Sequence, residues 1–287
     1  MKLCLMLVPM LLASFNAPAQ TAHVSSHPDS LCDNKLIAYA DWPKVKNPAF
    51  LLDVTTAKGR LYYFGAQHSA DAVDPQFAAI EKAWNEVKPT IAFYEGPNRP
   101  IAATGEETIK QAGESGFVRF LATRDQIPFV SLEPSPQDEA AHIMKKYSAE
   151  QVLLFYVLRE TARLRERRKL REEELKKAIA QLLERASKMK GFEGMADLKA
   201  LEAAYSKYWT EPQNWWQAPA RWFDPLLASA ETGGVFTNEI NKMSSDYRNL
   251  HMYNILTKAV LEGEKVFAVV GRNHVPMQEA ALRCALK

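Results

Sequence analysis

Arg60 to His68 reads RLYYFGAQH and Val266 to His274 reads VFAVVGRNH. Each stretch is an apolar, β-branched or aromatic run that ends in Gly, two further residues and His. Such a run reads as a buried strand, and the glycine lets the backbone turn sharply off it. The histidine then falls at the strand's carboxyl end, the edge of an open α/β sheet where ligands bind. Tyr94-Glu95-Gly96-Pro97 places a carboxylate at the end of a third strand, and Leu132-Glu133-Pro134 does so at a fourth.

Outward from these motifs, Ala49 to Thr55 pairs with Arg60 to Phe64 as two strands around a turn at Lys58-Gly59. Asp74 to Val87 reads as a helix, with Pro75 at its start and Phe77, Ile80 and Trp84 on one face. Thr90 to Tyr94 is a strand, Glu106 to Thr123 a helix and Pro128 to Leu132 a strand. Alternation of this kind predicts an α/β fold, with a mixed, mainly parallel central sheet flanked by helices. Between about 137 and 235 no strand signal remains, so a large helical insertion is expected between the sheet's N- and C-terminal parts. Asn238 to Leu261 returns as a helix, then Val266 to Val270 as the last strand, with a terminal helix after it.

Within the insertion, Arg159 to Lys190 is highly charged, with Glu172/Lys176, Glu173/Lys177 and Glu184/Lys188 at helix-supporting spacing. Its basic cluster (Arg163, Arg165, Arg167, Arg168, Lys169, Arg171) reads as a solvated face, or as a surface for an anion. Tyr208 to Phe223 holds four of the six tryptophans. Those rings serve either as a lid over a cleft or as packing that fastens the helical segment to the sheet.

The N-terminus carries one early charge, Lys2, then the short apolar run Leu3 to Leu12 and the small-residue site Ala17-Pro18-Ala19. This is the pattern of a signal peptide over residues 1–19, cut before Gln20, with an uncleaved anchor as the other reading. The run is too short to span a bilayer, which takes about 20 residues. Export to the periplasm or beyond is the expectation, with no membrane span after cleavage and residues 20–287 as a single domain. Two cysteines then remain, Cys32 and Cys284. An oxidising compartment favours one disulfide between them, against two separate buried thiols. Losing Lys2 leaves 35 basic against 34 acidic side chains. A nearly neutral chain has no excess charge for nucleic-acid phosphates, so the expected partner is a peptide or small-molecule substrate. Oligomeric state is left open.

His68, His274 and Glu95 form a set that suits a divalent metal such as Zn or Mn, with open positions for water. The same set also suits metal-free work, with a histidine as base and a glutamate orienting it. Glu133 is the second catalytic carboxylate. Arg248, Asn249 and Arg272 are candidates for substrate binding, the arginines by holding a carboxylate or an oxyanion. Arg248 reads equally as an ion-pair partner of Glu95 or Glu133. His251 shares a helix with Arg248, while His142, His23 and His27 read as bystanders.

The order of strand-GAQH, the YEG glutamate, SLEPSPQ, DYRNLHMYNIL and strand-GRNH resembles the TraB/GumN/Tiki superfamily, over roughly Phe50 to Pro276. The resemblance maps His68 and His274 onto the paired histidines and Glu95 onto the core carboxylate. It maps Glu133 and Gln137 onto a Leu-Glu-x-x-x-Gln element, and Arg248 and Asn249 onto the helix pair. Gly96-Pro97 departs from the more polar run that usually follows the early carboxylate. What the resemblance implies is a hydrolase of peptide or ester bonds: metal-dependent as in Tiki relatives, or metal-free as in erythromycin-esterase relatives. Haem-binding ChaN relatives imply a non-enzymatic ligand-binding protein instead.

Overall fold

The structure, a computed structural model, describes residues 30–287. The signal peptide, His23 and His27 lie outside them. Five strands form one sheet: β1 Leu51–Thr55, β2 Arg60–Ala66, β3 Ile91–Tyr94, β4 Phe129–Ser131 and β5 Lys265–Gly271, in the order β1-β2-β5-β3-β4. β1 pairs antiparallel with β2, and every other pairing is parallel. The fold is α/β as the sequence pattern predicts, and the last strand sits in the middle.

The helices are α1 Ser30–Asp33, α2 Pro75–Val87, α3 Gly105–Arg124, α4 Pro136–Ile143, α5 Ala149–Arg168, α6 Glu172–Ala186, α7 Leu198–Tyr205, α8 Ser229–Thr232, α9 Thr237–Leu261 and α10 His274–Ala285. Local chemistry sets several of their starts. Asp74 accepts from the Gln76 N–H with Pro75 behind it, Ser135 caps α4, and Ser148 forms a capping box with Gln151 at α5.

The alternation of β5 divides the core. Val266, Ala268 and Val270 face one side with Met252, Leu256 and Val260 of α9 and Leu282 of α10; Phe267 and Val269 face the other with α2 and α3. The five central residues of that strand, Val266 to Val270, are fully buried, which explains why they read as a continuous apolar run. Phe267 lies between Tyr62 and Trp84, its ring centroid about 5 Å from each.

Helices α4 to α8 make up the insertion, which has a hydrophobic cluster of its own. Phe155 and Leu158 of α5, Ile179 of α6 and Leu201 of α7 meet Trp209, Trp215 and Trp222 there, and the cluster continues onto Phe236 and Ile240. Trp209 stacks on Trp222, and the Trp222 indole donates to Thr232 O. None of the four tryptophans lines the clefts described below. These rings are therefore packing, and they fasten the insertion to itself and to α9 rather than to the sheet. Arg165 reinforces this by donating to the carbonyls of Trp216 and Ala218.

Cys32 and Cys284 form a disulfide between α1 and α10, closing a loop with a sequence separation of 252 residues. Among the described residues no helix is long and apolar enough to cross a membrane. Closing so long a loop removes chain entropy chiefly from the unfolded state. Replacing both cysteines by serine is expected to cost about 2–5 kcal/mol. Urea denaturation of the variant, beside the parent with and without reductant, measures it, and the reduced parent should match the variant.

Candidate functional site

Because β2, β5, β3 and β4 run parallel, their carboxyl ends share one edge. The chain skips a place between β2 and β3 that β5 fills, so the connections diverge there and open a crevice, as at the switch points of other open sheets. His68, Glu95, Gly271, His274 and Glu133 all gather at this edge.

Glu95 is the hub. One carboxylate oxygen, Oε2, accepts from the Gly271 N–H at 2.6 Å, and Oε1 accepts from Arg248 Nη2 at 2.9 Å. His274 Nε2 lies 3.5 Å from Oε1. Burial pushes the Glu95 pKa up, but the contacts with His274, Arg248 and the Gly271 amide outweigh it and hold the carboxyl well below the usual range. Gly271 is required for its lack of a side chain. A Cβ there would sit 3.2 Å from both Glu95 Oε2 and His68 Nε2, in the space between the two groups. The loop after β3 is tied down as well: Ser115 Oγ donates to Glu95 O, and Ser131 Oγ to Gly96 O.

The two Gly-x-x-His motifs end in unlike surroundings. In the β2–β5 register Ala66 pairs with Gly271, so the motifs are offset by one residue. His274 opens α10 with its side chain only 9% exposed, whereas that of His68 is 74% exposed and faces the cleft. Each imidazole is held by Nδ1. His274 Nδ1 donates to Asn249 Oδ1 at 2.8 Å, and that oxygen also accepts from Gln278. His68 Nδ1 is 2.5 Å from Glu114 Oε1. The hydrogen bond that His68 Nδ1 donates to Glu114 raises the His68 pKa, against the opposing pull of burial. With an ionised Glu114 the shared proton sits on Nδ1, so Nε2 presents a lone pair to the cleft.

Glu114 is the site residue missing from the sequence reading. It lies in the middle of α3, where a surface helix is expected, yet it is buried. The cause is Gly113, whose φ of 57° interrupts the helix and where a Cβ would come within 2.9 Å of Ser69 O. The break turns Glu114 toward His68 and Ser115 toward Glu95. A glycine inside a helical pattern was the available signal.

Arg248, on α9, donates through Nε and Nη2 to both oxygens of Glu133, at 2.8 and 2.6 Å, besides its bond to Glu95. Its guanidinium joins the ends of β3 and the β4–α4 loop to α9, which is the ion-pair reading. Asn249 is 2% exposed behind His274 and serves as its positioning residue, lining neither cleft. Arg272 lines the smaller cleft with its guanidinium 3.8 Å from the Phe50 ring centroid. Gln137 points away and donates to Lys190 O. His142 stacks on Tyr247, which also contacts His251, and neither histidine reaches the clefts.

Two clefts, of about 970 and 560 Å³, flank the cluster, and His68, Glu95, Arg159 and Arg248 line both. The insertion forms the outer wall of the larger one. Its basic stretch is accordingly more than a solvated face, because Arg159, Arg163 and Arg167 line that cleft.

The donor set tests a metal directly. Nδ1 anchoring leaves His68 Nε2 without a hydrogen-bond partner among the described residues and turns His274 Nε2 toward Glu95 Oε1, 3.5 Å away, the arrangement of metal-binding histidines with outer partners. Both Glu95 oxygens, however, are engaged by Arg248 and Gly271. Among the described residues no group of three or more His, Cys, Asp or Glu is placed to hold an ion. His68, Glu95 and His274 as arranged do not fit one, and an ion would have to displace an existing Glu95 partner. No family model, curated protein or solved structure matches the chain.

Arg248→Ala would leave two partly buried carboxylates facing each other, a loss of about 3–5 kcal/mol. Because the Glu95 pKa is lowered, its contribution is complete above the usual glutamate range and is lost only as pH falls through the lowered value. The acid-unfolding midpoint of Arg248→Ala should therefore lie at higher pH than that of the parent, measured by circular dichroism. Glu114→Gln removes the partner that raises His68, so the imidazole should titrate at lower pH, toward about 6.5. Its NMR ring-proton shifts follow this directly.

Proposed function

We propose that the chain is an exported hydrolase of peptide or ester bonds whose base is His68. The observation that carries this reading is the Glu114–His68 pair, buried carboxylate to exposed imidazole, with Nε2 open to a cleft large enough for a substrate. A positioned acid–base group of this kind contributes about 10²–10⁴-fold in rate.

In the proposed reaction His68 Nε2 takes a proton from water as the water oxygen attacks the carbonyl carbon. The Arg272 guanidinium, with no carboxylate partner among the described residues, offsets the charge forming on the carbonyl oxygen. The C–O or C–N bond then breaks, and His68 returns its proton to the leaving oxygen or nitrogen. Glu95, Arg248 and Glu133 keep His274 and Gly271 in place around the reacting centre. The resemblance to the TraB/GumN/Tiki superfamily supports the same residues, and the Cys32–Cys284 disulfide supports a destination outside the cytoplasm, periplasmic or extracellular.

A second reading is a metal-dependent hydrolase with Zn or Mn on His68, Glu95 and His274. It requires Glu95 to give up Arg248 or the Gly271 amide to the ion, and the Nδ1 anchoring of both rings supports it. When bound, the metal would supply a more acidic water and a Lewis acid.

His68→Ala should lower kcat about 10²–10⁴-fold in an ester and peptide screen. It should also lower the melting temperature, because the buried Glu114 carboxylate loses its imidazole partner, so turnover is read at a temperature where the variant is folded. Parent activity should rise as pH climbs through the raised His68 value, and in Glu114→Gln that limb should move to lower pH. Full turnover in His68→Ala would overturn the proposal. Metal content of the protein prepared without chelator decides between the two routes: near-stoichiometric metal lost in His68→Ala/His274→Ala selects the second. A stoichiometric absorbance band on haem titration, without turnover, would instead make it a binding protein.

A further inference from the structure

Arg159 occupies an unusual position for a cation. It projects from α5 to the boundary of both clefts, beside His68, Glu95 and Arg248. Its only hydrogen bond among the described residues is from Nη1 to the neutral Asn241 Oδ1, at 3.1 Å. No carboxylate lies within ion-pair distance among the described residues, although the residue is half-buried, with its guanidinium over the Phe155 ring. Burial first and the nearby Arg248 charge second work against its protonated form, with Glu139 and Glu133 acting the other way from beyond ion-pair distance. Nε and Nη2 have no protein acceptor, yet they are not sealed from solvent.

Its neighbours on the helix sharpen the picture. Arg159, Arg163 and Arg167 fall four residues apart on one face of α5, and all three line the larger cleft. Glu160 neutralises Arg163 through two hydrogen bonds. Arg167 has no carboxylate partner among the described residues, and its charge is felt at His68, whose pKa it lowers. The wall opposite the proposed base thus carries two guanidinium groups that have no ion-pair partner among the described residues, although Glu133 and Glu139 line the same cleft.

We propose that Arg159 is a substrate-binding residue that receives a carboxylate of the substrate through Nε and Nη2, with Arg167 adding longer-range attraction at the cleft mouth. The free edge of one guanidinium offers two parallel N–H bonds, which match the two oxygens of a carboxylate. The substrate is then an acyl compound with a free carboxylate close to the bond that is cut, such as a peptide with a free C-terminus near that bond. This rests on the hydrolase reading for the word substrate, while the binding site itself does not depend on it.

The test uses the full mature chain and two probes, an N-acetylated dialanine with a free C-terminal carboxylate and the same peptide as its C-terminal amide, followed by calorimetric titration. The acid should bind about tenfold or more tightly than the amide, the worth of one charge-assisted pair. Arg159→Gln should bring the acid down to the level of the amide, and Arg159→Lys should fall between. Because the wild-type cation is repelled by Arg248, Arg159→Gln should melt at or above the parent temperature. His68→Ala should keep the discrimination; if it does while no assay finds turnover by the parent, the catalytic reading falls and the carboxylate subsite stands. Equal or absent binding of both probes, discrimination that survives Arg159→Gln, inorganic phosphate binding more tightly than the acid, or a lowered melting temperature in Arg159→Gln would each overturn the proposal.

Discussion

Arg248 lies where three separate pieces of chain must agree. Its guanidinium takes both oxygens of Glu133 after β4 and one oxygen of Glu95 after β3, while its backbone belongs to α9 on the face of the sheet. Two carboxylates brought together at a sheet edge would repel, and in partly buried surroundings that repulsion is poorly screened. With the cation between them the repulsion becomes attraction, and the position of each strand end is fixed against the helix. Glu95 in turn grips the Gly271 amide and faces His274, so the end of β5 is set by the same cation at one remove.

That chain of contacts explains why two motifs with one pattern do different work. His274 starts a helix, is enclosed by Asn249 and Gln278, and faces a carboxylate already engaged elsewhere. His68 leaves its strand into an open loop and finds its partner on α3. A buried imidazole with a fixed amide partner suits holding geometry, whereas an exposed one with a buried carboxylate behind it suits moving protons. The difference comes from the one-residue offset in register and from the segment each motif leads into, irregular after Gly65 and helical, as α10, after Gly271.

Much of this was legible in the residues. The continuous apolar run Val266 to Val270 announced a strand buried on both faces, and the pairing of glycine with histidine announced the sheet edge at which His68, Glu95 and His274 gather, because both patterns are local. The position of β5 between β2 and β3 was not, since strand order depends on packing of α2 and α9 on opposite faces. Glu114 stayed hidden for a related reason: as sequence it is one more acid on an amphipathic helix, and only the break at Gly113 turns it inward. Asn249 reads as a binding residue beside Arg248, but adjacent helical positions point about 100° apart, so the two serve different groups.

The insertion shows the same separation of pattern from role. Its tryptophans look as though they belong to a binding surface, yet indole area is most useful where it excludes water, and the helical segment needed a core of its own. Its arginines look like an ordinary solvated face, yet spacing by four puts three of them on one stripe, and the stripe meets the cleft. Glu160 pairs with the middle arginine, while the first has no ion-pair partner among the described residues. A half-buried guanidinium with a free edge in a pocket is suited to a ligand that brings a carboxylate. By that argument the sheet edge contributes the reacting groups, and the insertion contributes the selection of what reaches them.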